Sequence, residues 1–217
     1  MGCLAKLITL DNTSLSVQYL CKKDKRLAKV ISLTGKITYK PFTANPYEFL
    51  IHEIIEQMLS IKAGEKIFNR LIDLCGGELT PEKVIKLDEN QIRSIGTSSS
   101  KVKYIRCVTE NVLNGNLSFN ELSKMDDITA RKKLTGMHGI GNWTAKMYMI
   151  FVLDRQNILP YEDITFQNAY KWMYKTDDVT PASIMKRCKK WEPYSSVASR
   201  FLYQAFDMGL TKEEFRL

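Results

Sequence analysis

Three glycines within six residues, Gly136, Gly139 and Gly141, separate two stretches of helical periodicity and force the chain to turn back on itself between them. Glycine inside a helix costs about 1 kcal/mol relative to alanine, so such a cluster marks a break. Residues 127–134 read as the helix before it and residues 142–153 as the helix after it. Gly139-Ile140-Gly141 opens directly onto the second helix, whose first-turn N–H groups are unpaired and carry partial positive charge. With no Cβ in the way, an anionic oxygen can approach them closely. Ile140 would anchor the hairpin in the core, and Lys146, one turn on, adds a cation. On the three glycines alone, a tight corner packing two helices is the simpler reading.

Charge points the same way without deciding the matter. Thirty-two Lys and Arg against 24 Asp and Glu leave +8, which suits a polyanionic partner but also describes a merely soluble basic protein. With 44% hydrophobic and 26% charged residues, the chain is an ordinary globule and not a disordered tail. The five cysteines (Cys3, Cys21, Cys75, Cys107, Cys188) are odd in number and form no C-x-x-C pair. That argues against a zinc site and a disulfide framework, and favours a reducing compartment. The first eight residues turn polar too soon for a signal peptide, Lys6 breaks the myristoylation pattern at Gly2, and no apolar run is long enough to span a membrane.

Residues 15–21 and 29–40 contain alternating and β-branched stretches that read as short strands, with the charged run 22–26 between them as a solvated face. From Asn45 the chain reads as helix after helix. Pro46 suits a first helical position, and Phe49, Leu50, Ile54, Ile55, Met58 and Leu59 follow at helical spacing. Ile67, Leu71 and Leu74 continue that rhythm until Gly76-Gly77 stops it. Thr80-Pro81 starts a short helix, Asp88 with Gln91 and Ser118 with Glu121 resemble capping boxes, and residues 98–113 are amphipathic. Further helices are expected at 164–174, 182–190 and 194–208. The fold class is mainly α, about ten short helices with little or no sheet, and neither an internal repeat nor a long linker interrupts it.

Asp163 lies 22 residues after Gly141, past the Leu159-Pro160 turn and at the mouth of a helix. Its spacing is that of a helix N-cap, a role that is compatible with chemistry.

The longer string L-x-G-x-x-G-I-G-x-W-T-A, residues 134–145, resembles the helix-hairpin-helix of the DNA glycosylase superfamily (HhH-GPD) that also contains endonuclease III. Three further segments resemble it in order. Ile54-x-x-Gln57-x-x-Ser60-x-x-Ala63 matches a DNA-opening helix, Asp163-x-x-Phe166 the essential acid, and Trp191-x-Pro-Tyr194 a C-terminal element in which Ser195 replaces the usual arginine. The resemblance spans residues 46–198 and is strongest for the 3-methyladenine DNA glycosylase II branch.

That resemblance implies a two-lobed helical fold with a cleft between the lobes. Residues 45–155 would form a central lobe with the helix-hairpin-helix at 127–153, and residues 1–44 plus 156–217 the other. Asp163 would be catalytic, with Glu162 as second choice. Trp143, Met147, Trp191 and Tyr194 would line the base pocket, although Met147 stands where a tyrosine is expected and packing is the favoured alternative for Trp191 and Tyr194. Gly136, Gly139, Gly141, Thr144, Lys146, Gln57, Met58 and Ser60 would bind DNA, with Met58 either the wedge that fills the gap left by a flipped nucleotide or a core residue one turn after Ile54. Bifunctional members place a Schiff-base lysine where this chain has Trp143, so a water-using, monofunctional enzyme is implied. The expected reaction is hydrolysis of the N-glycosidic bond of alkylated purines. A non-catalytic helix-hairpin-helix module, or a glycosylase for deaminated or oxidised bases, are the alternatives.

No cofactor or iron–sulfur centre is expected, apart from a structural Na+ or K+ on the carbonyls of Thr135 and Met137. The partner is double-stranded DNA with damaged bases, without a membrane. A monomer is expected, in the cytoplasm with the bacterial nucleoid or in a eukaryotic nucleus.

Overall fold

The computed structural model describes residues 7–42 and 45–217. The readings that concern residues 1–6, the signal-peptide and Gly2 arguments and Cys3 among them, lie outside these. The chain forms two compact units, one holding the segment up to Pro41 together with Asp154–Leu217, the other Phe42–Leu153.

The first unit opens with β1 (Ile8–Leu10), α1 (Leu15–Lys23), α2 (Lys25–Thr34) and β2 (Ile37–Tyr39). The strands pair antiparallel, with Ile8 opposite Tyr39 and Leu10 opposite Ile37. Residues 15–21, expected as a strand, are helical, and of residues 29–40 only Ile37–Tyr39 are strand. Val17, Leu20, Leu27, Val30 and Ile31 are the buried positions, a set with helical spacing that the local β-branched content concealed.

The run 22–26 is also corrected. Asp24 is 3% exposed and caps α2 by accepting the N–H groups of Arg26 and Leu27. It further accepts the Tyr174 hydroxyl and the Trp191 indole N–H and pairs with Lys190 at 3.0 Å. Burial resists its charge, but these donors outweigh burial and hold its carboxyl below the usual value.

The second unit contains α3 (Pro46–Glu56), α4 (Ile61–Leu74), α5 (Pro81–Val84), α6 (Glu89–Ser94), α7 (Ser99–Leu113), α8 (Phe119–Lys124), α9 (Asp127–Thr135) and α10 (Asn142–Phe151). The Asn45 side chain caps α3 with Pro46 in its first turn, and Asp88 and Gln91 complete a reciprocal capping box. Leu50, Ile51, Ile54 and Ile55 of α3 are fully buried, as are Leu71, Ile105, Val108, Leu134 and Tyr148. The apolar rhythm from Phe49 to Leu74 is not one helix. It breaks at residues 57–60, where Met58 takes φ +59° and Ser60 caps α4.

The chain then returns to the first unit with α11 (Ile164–Tyr174), α12 (Pro181–Cys188), a 3-10 turn at Lys189–Trp191 and α13 (Ser195–Asp207). Phe166, Tyr170, Trp191, Phe201 and Leu202 close its core over Leu20, Leu27 and Val30. Thirteen α-helices thus stand among the described residues against about ten expected, the surplus coming from α1 and α2, where strands were expected, and from the break between α3 and α4. The described cysteines are free thiols.

Asp24→Asn is expected to lower the unfolding free energy by about 2 kcal/mol at pH 7, because the Tyr174, Trp191 and Lys190 donors lose the charged oxygen that they share. A depressed carboxyl stabilises above its unfolded pKa near 3.8 and loses that contribution as pH falls through the lower folded value. The difference from the parent should therefore persist from neutral pH down to about 4 and shrink only below it. Chemical denaturation across that range measures it, and equal stabilities at pH 7 would refute the role of Asp24.

Candidate functional site

The hairpin of the second unit follows directly from its glycines. Leu134 and Ile140 are buried at 0% and 4% exposure, which fixes both ends of the turn. The Met137 carbonyl accepts the Ile140 N–H at 3.1 Å. Gly139 has φ +94°, and a Cβ there would stand 2.2 Å from Cγ of Tyr104. The ring of Tyr104 therefore lies against bare backbone, and its edge contact with His138 extends the same surface. Gly141 caps α10, is exposed, and a Cβ on it would meet nothing within 4 Å. Nothing in the fold requires glycine at 141, and its missing Cβ leaves the first turn of α10 open to an approaching anion.

Three expected DNA contacts turn inward instead. Gln57 Nε2 donates to the Gly139 carbonyl at 2.9 Å and to Thr144 Oγ1 at 3.0 Å, so its amide ties the 57–60 loop to the hairpin. Thr144 is 1% exposed, and its hydroxyl serves that bond. Lys146 is 4% exposed, because α10 is enclosed from Thr144 to Ile150, and it is not a surface cation beside the turn. Met147 is buried as well at 4%, while Trp143 keeps part of its surface. Met58 behaves in the opposite way. It is 101% exposed, which removes the alternative that it is a core residue. Leu59 (40%) and Ile61 (61%) extend an apolar ridge, and Ser60 is spent on capping α4.

In the first unit, Asp163 is 9% exposed and caps α11, accepting the Phe166 N–H at 2.7 Å. Its backbone is held by Pro160 and Gln167, and Gln167 Nε2 donates to the Tyr161 carbonyl. The loop that delivers it is fastened along α13. Arg200 bonds Asp154 at 3.2 Å, the Ser196 N–H donates to Gln156, Ser195 Oγ donates to Asn157 at 2.8 Å, and Ser196 Oγ accepts the Ile158 N–H at 2.8 Å. Ser195, which stands where the resemblance expected arginine, thus has a local structural task. Sequence reasoning missed this ladder, although three serines on one apolar helix were a visible signal.

Trp191 is not a pocket wall. It is 0% exposed, gives its N–H to Asp24, and meets Phe166 edge-on, so no face is open to a base. Tyr194 is half-buried, with its ring edge-on to Tyr19 at 5.4 Å.

Among the described residues, His52, Glu53 and Glu56 on α3 form the one His–carboxylate group that is close enough to share an ion. Its imidazole lies 3.4 Å from Glu53 and 3.6 Å from Glu56. Burial disfavours its charged form, but the carboxylates around it prevail and raise its pKa. A protonated ring between two carboxylates satisfies this geometry without a metal.

Gly139→Ala should cost roughly 3 kcal/mol, since it combines a forbidden φ with a collision against an aromatic ring. Denaturant titration tests this, and a loss under about 0.5 kcal/mol would show that the ring is not held there.

Residues 51–193 match a family model described as the HhH-GPD superfamily of base excision DNA repair proteins. The chain is 27% identical over 194 residues to DNA-3-methyladenine glycosylase 1 of Schizosaccharomyces pombe, covering 86% of this chain and 84% of that protein. The crystal structure of a DNA-3-methyladenine glycosidase from Bacillus halodurans superposes with a TM-score of 0.82 at 35% identity, over 95% of both chains. The S. pombe 3-methyladenine DNA glycosylase Mag1, solved in complex with abasic DNA, superposes at 0.81 with 26% identity, over 89% of this chain and 97% of that one. With two thirds of its length matched by the family model and its fold shared with both structures, the chain belongs to the HhH-GPD superfamily of base excision DNA repair proteins.

Proposed function

We propose that this protein is a monofunctional DNA glycosylase that hydrolyses the N-glycosidic bond of alkylated purines, of the 3-methyladenine and 7-methylguanine class, and leaves an abasic site. The observation that carries the reading is Asp163, a buried carboxylate fixed at the mouth of α11 by its own cap and by a loop fastened to α13.

Methylation at N3 or N7 makes the base cationic, so it leaves with the bonding electron pair as a neutral purine. The C1′–N bond breaks, positive charge grows on the sugar, and water supplies the oxygen of the new C1′–O bond while its proton passes to solvent or to the carboxylate. What the protein must supply is a negative charge near that sugar and a way to hold the nucleotide out of the stack. Asp163 supplies the first. The first turn of α10 behind Gly139 and Gly141 grips the backbone, Met58 fills the gap, and the partly exposed ring of Trp143 receives the base. Trp143 has no amine to form a Schiff base, so the strand remains uncut. A Na+ or K+ on the Thr135 and Met137 carbonyls belongs to the same proposal. The Met137 oxygen retains a second lone pair beside its bond to Ile140. Duplex DNA is the partner, and a monomer suffices.

Asparagine caps a helix as well as aspartate does, so Asp163→Asn should fold and bind DNA like the parent. Its release of purines from methylated duplex DNA should fall about 1,000-fold. Release at the parent's rate, or no release by the parent, would refute the assignment. Borohydride should trap no protein–DNA adduct.

A further inference from the structure

Lys101, in the first turn of α7, points its ammonium at the end of α3. Nζ donates to the Ile55 carbonyl at 2.6 Å and to the Gln57 carbonyl at 2.7 Å. These carbonyls close α3 and begin the loop that carries Met58, where a side-chain cation satisfies orphan acceptors and complements the helix dipole. Burial alone pushes the lysine below its usual value, so the contact is partly screened from water. Tyr104, one turn further along α7, is the ring on which Gly139 rests. Gln57 joins the two supports, with its carbonyl on Lys101 and its amide on Gly139.

We infer that one face of α7, through Lys101 and Tyr104, fixes the spacing between the Met58 wedge and the phosphate-gripping hairpin, and that Lys101 is a positioning residue for opening the duplex. The inference rests on the glycosylase reading above. Met58 holds a left-handed φ that a methionine avoids, at full exposure. The Gln57 carbonyl immediately before it is one of the two that Lys101 clasps. Without that clasp, the loop can relax and the side chain no longer projects at the distance the hairpin sets.

The test is single-turnover release of 7-methylguanine from two duplexes. In one the lesion faces cytosine, and in the other an abasic analogue, which leaves it unpaired and easier to extrude. Lys101→Met should lose about 30-fold on the paired lesion and at most about 3-fold on the unpaired one, reflecting an opening cost of a few kcal/mol. Lys101→Arg should regain most of the rate, and Lys101→Gln, a shorter and uncharged donor, should lie between. Combining Lys101→Met with Met58→Ala should lose no more than about 2-fold beyond Met58→Ala alone, since both act through one side chain. Equal losses on both duplexes, no loss on either, or full additivity with Met58→Ala would overturn the inference. Absence of release by the parent from both duplexes would instead overturn the glycosylase reading itself.

Discussion

The contact between the Gly139 backbone and the Tyr104 ring is the constraint on which the second unit's working surface depends. With φ +94° and no room for a Cβ, residue 139 has a single acceptable side chain, and the turn can sit in only one place. Its carbonyl then meets the Gln57 amide, and Gln57 in turn defines where α3 ends and where Met58 stands. The hydroxyl of Thr144 shares that amide, so α10 starts from the same point. A hairpin that grips a phosphate and a loop that opens a base pair must act at a fixed separation. On the proposed reading, Tyr104, Gln57, Thr144 and one bare glycine hold the hairpin side of that separation by neutral contacts, and the Lys101 ammonium holds the loop side.

The first unit solves a different problem. Asp163 is held at 9% exposure, where the loop from Asp154 delivers it. One carboxylate oxygen accepts the Phe166 N–H, which fixes the side chain at the N-terminus of α11. The serines of α13 then hold the loop through buried hydrogen bonds, each of which would leave an unpaired polar group if broken. The Asp24 hub anchors the opposite side of this core, because Trp191 and Tyr174 both end on its carboxylate. The indole that the sequence offered as a pocket wall is needed there to satisfy a buried charge.

What could be read from the chain and what could not divide along physical lines. The hairpin, the caps at Asn45 and Asp88, and the Asp163 cap are local and short in range, and the structure holds each where its residues imply. Helix α1 was misread because a nine-residue segment with Val, Tyr and Cys fits either period until the core chooses. The break at residues 57–60 was hidden because Met58 and Leu59 keep the apolar rhythm while facing outward. Lys146 and Thr144 look like phosphate ligands by proximity in sequence, yet α10 is enclosed from Thr144 to Ile150, and depth decides which way a side chain works. Lys101 and the α13 serines left no motif at all, since their partners are carbonyls of distant residues.

Depth also explains how the hairpin acts on a polyanion without a lysine at its tip. A grip made of main-chain N–H groups and a helix dipole places partial charges that cannot swing away, and its energy depends on geometry more than on net charge. The excess of +8 is spread over the chain, where it raises the encounter rate and the salt-dependent part of affinity. Position along a strand is then a matter for the hairpin, and discrimination a matter for extrusion. On the proposed reading, a cationic alkylated purine already leaves readily from its sugar, so the selective step is how easily the base quits the stack, which the loop clasped by Lys101 would govern.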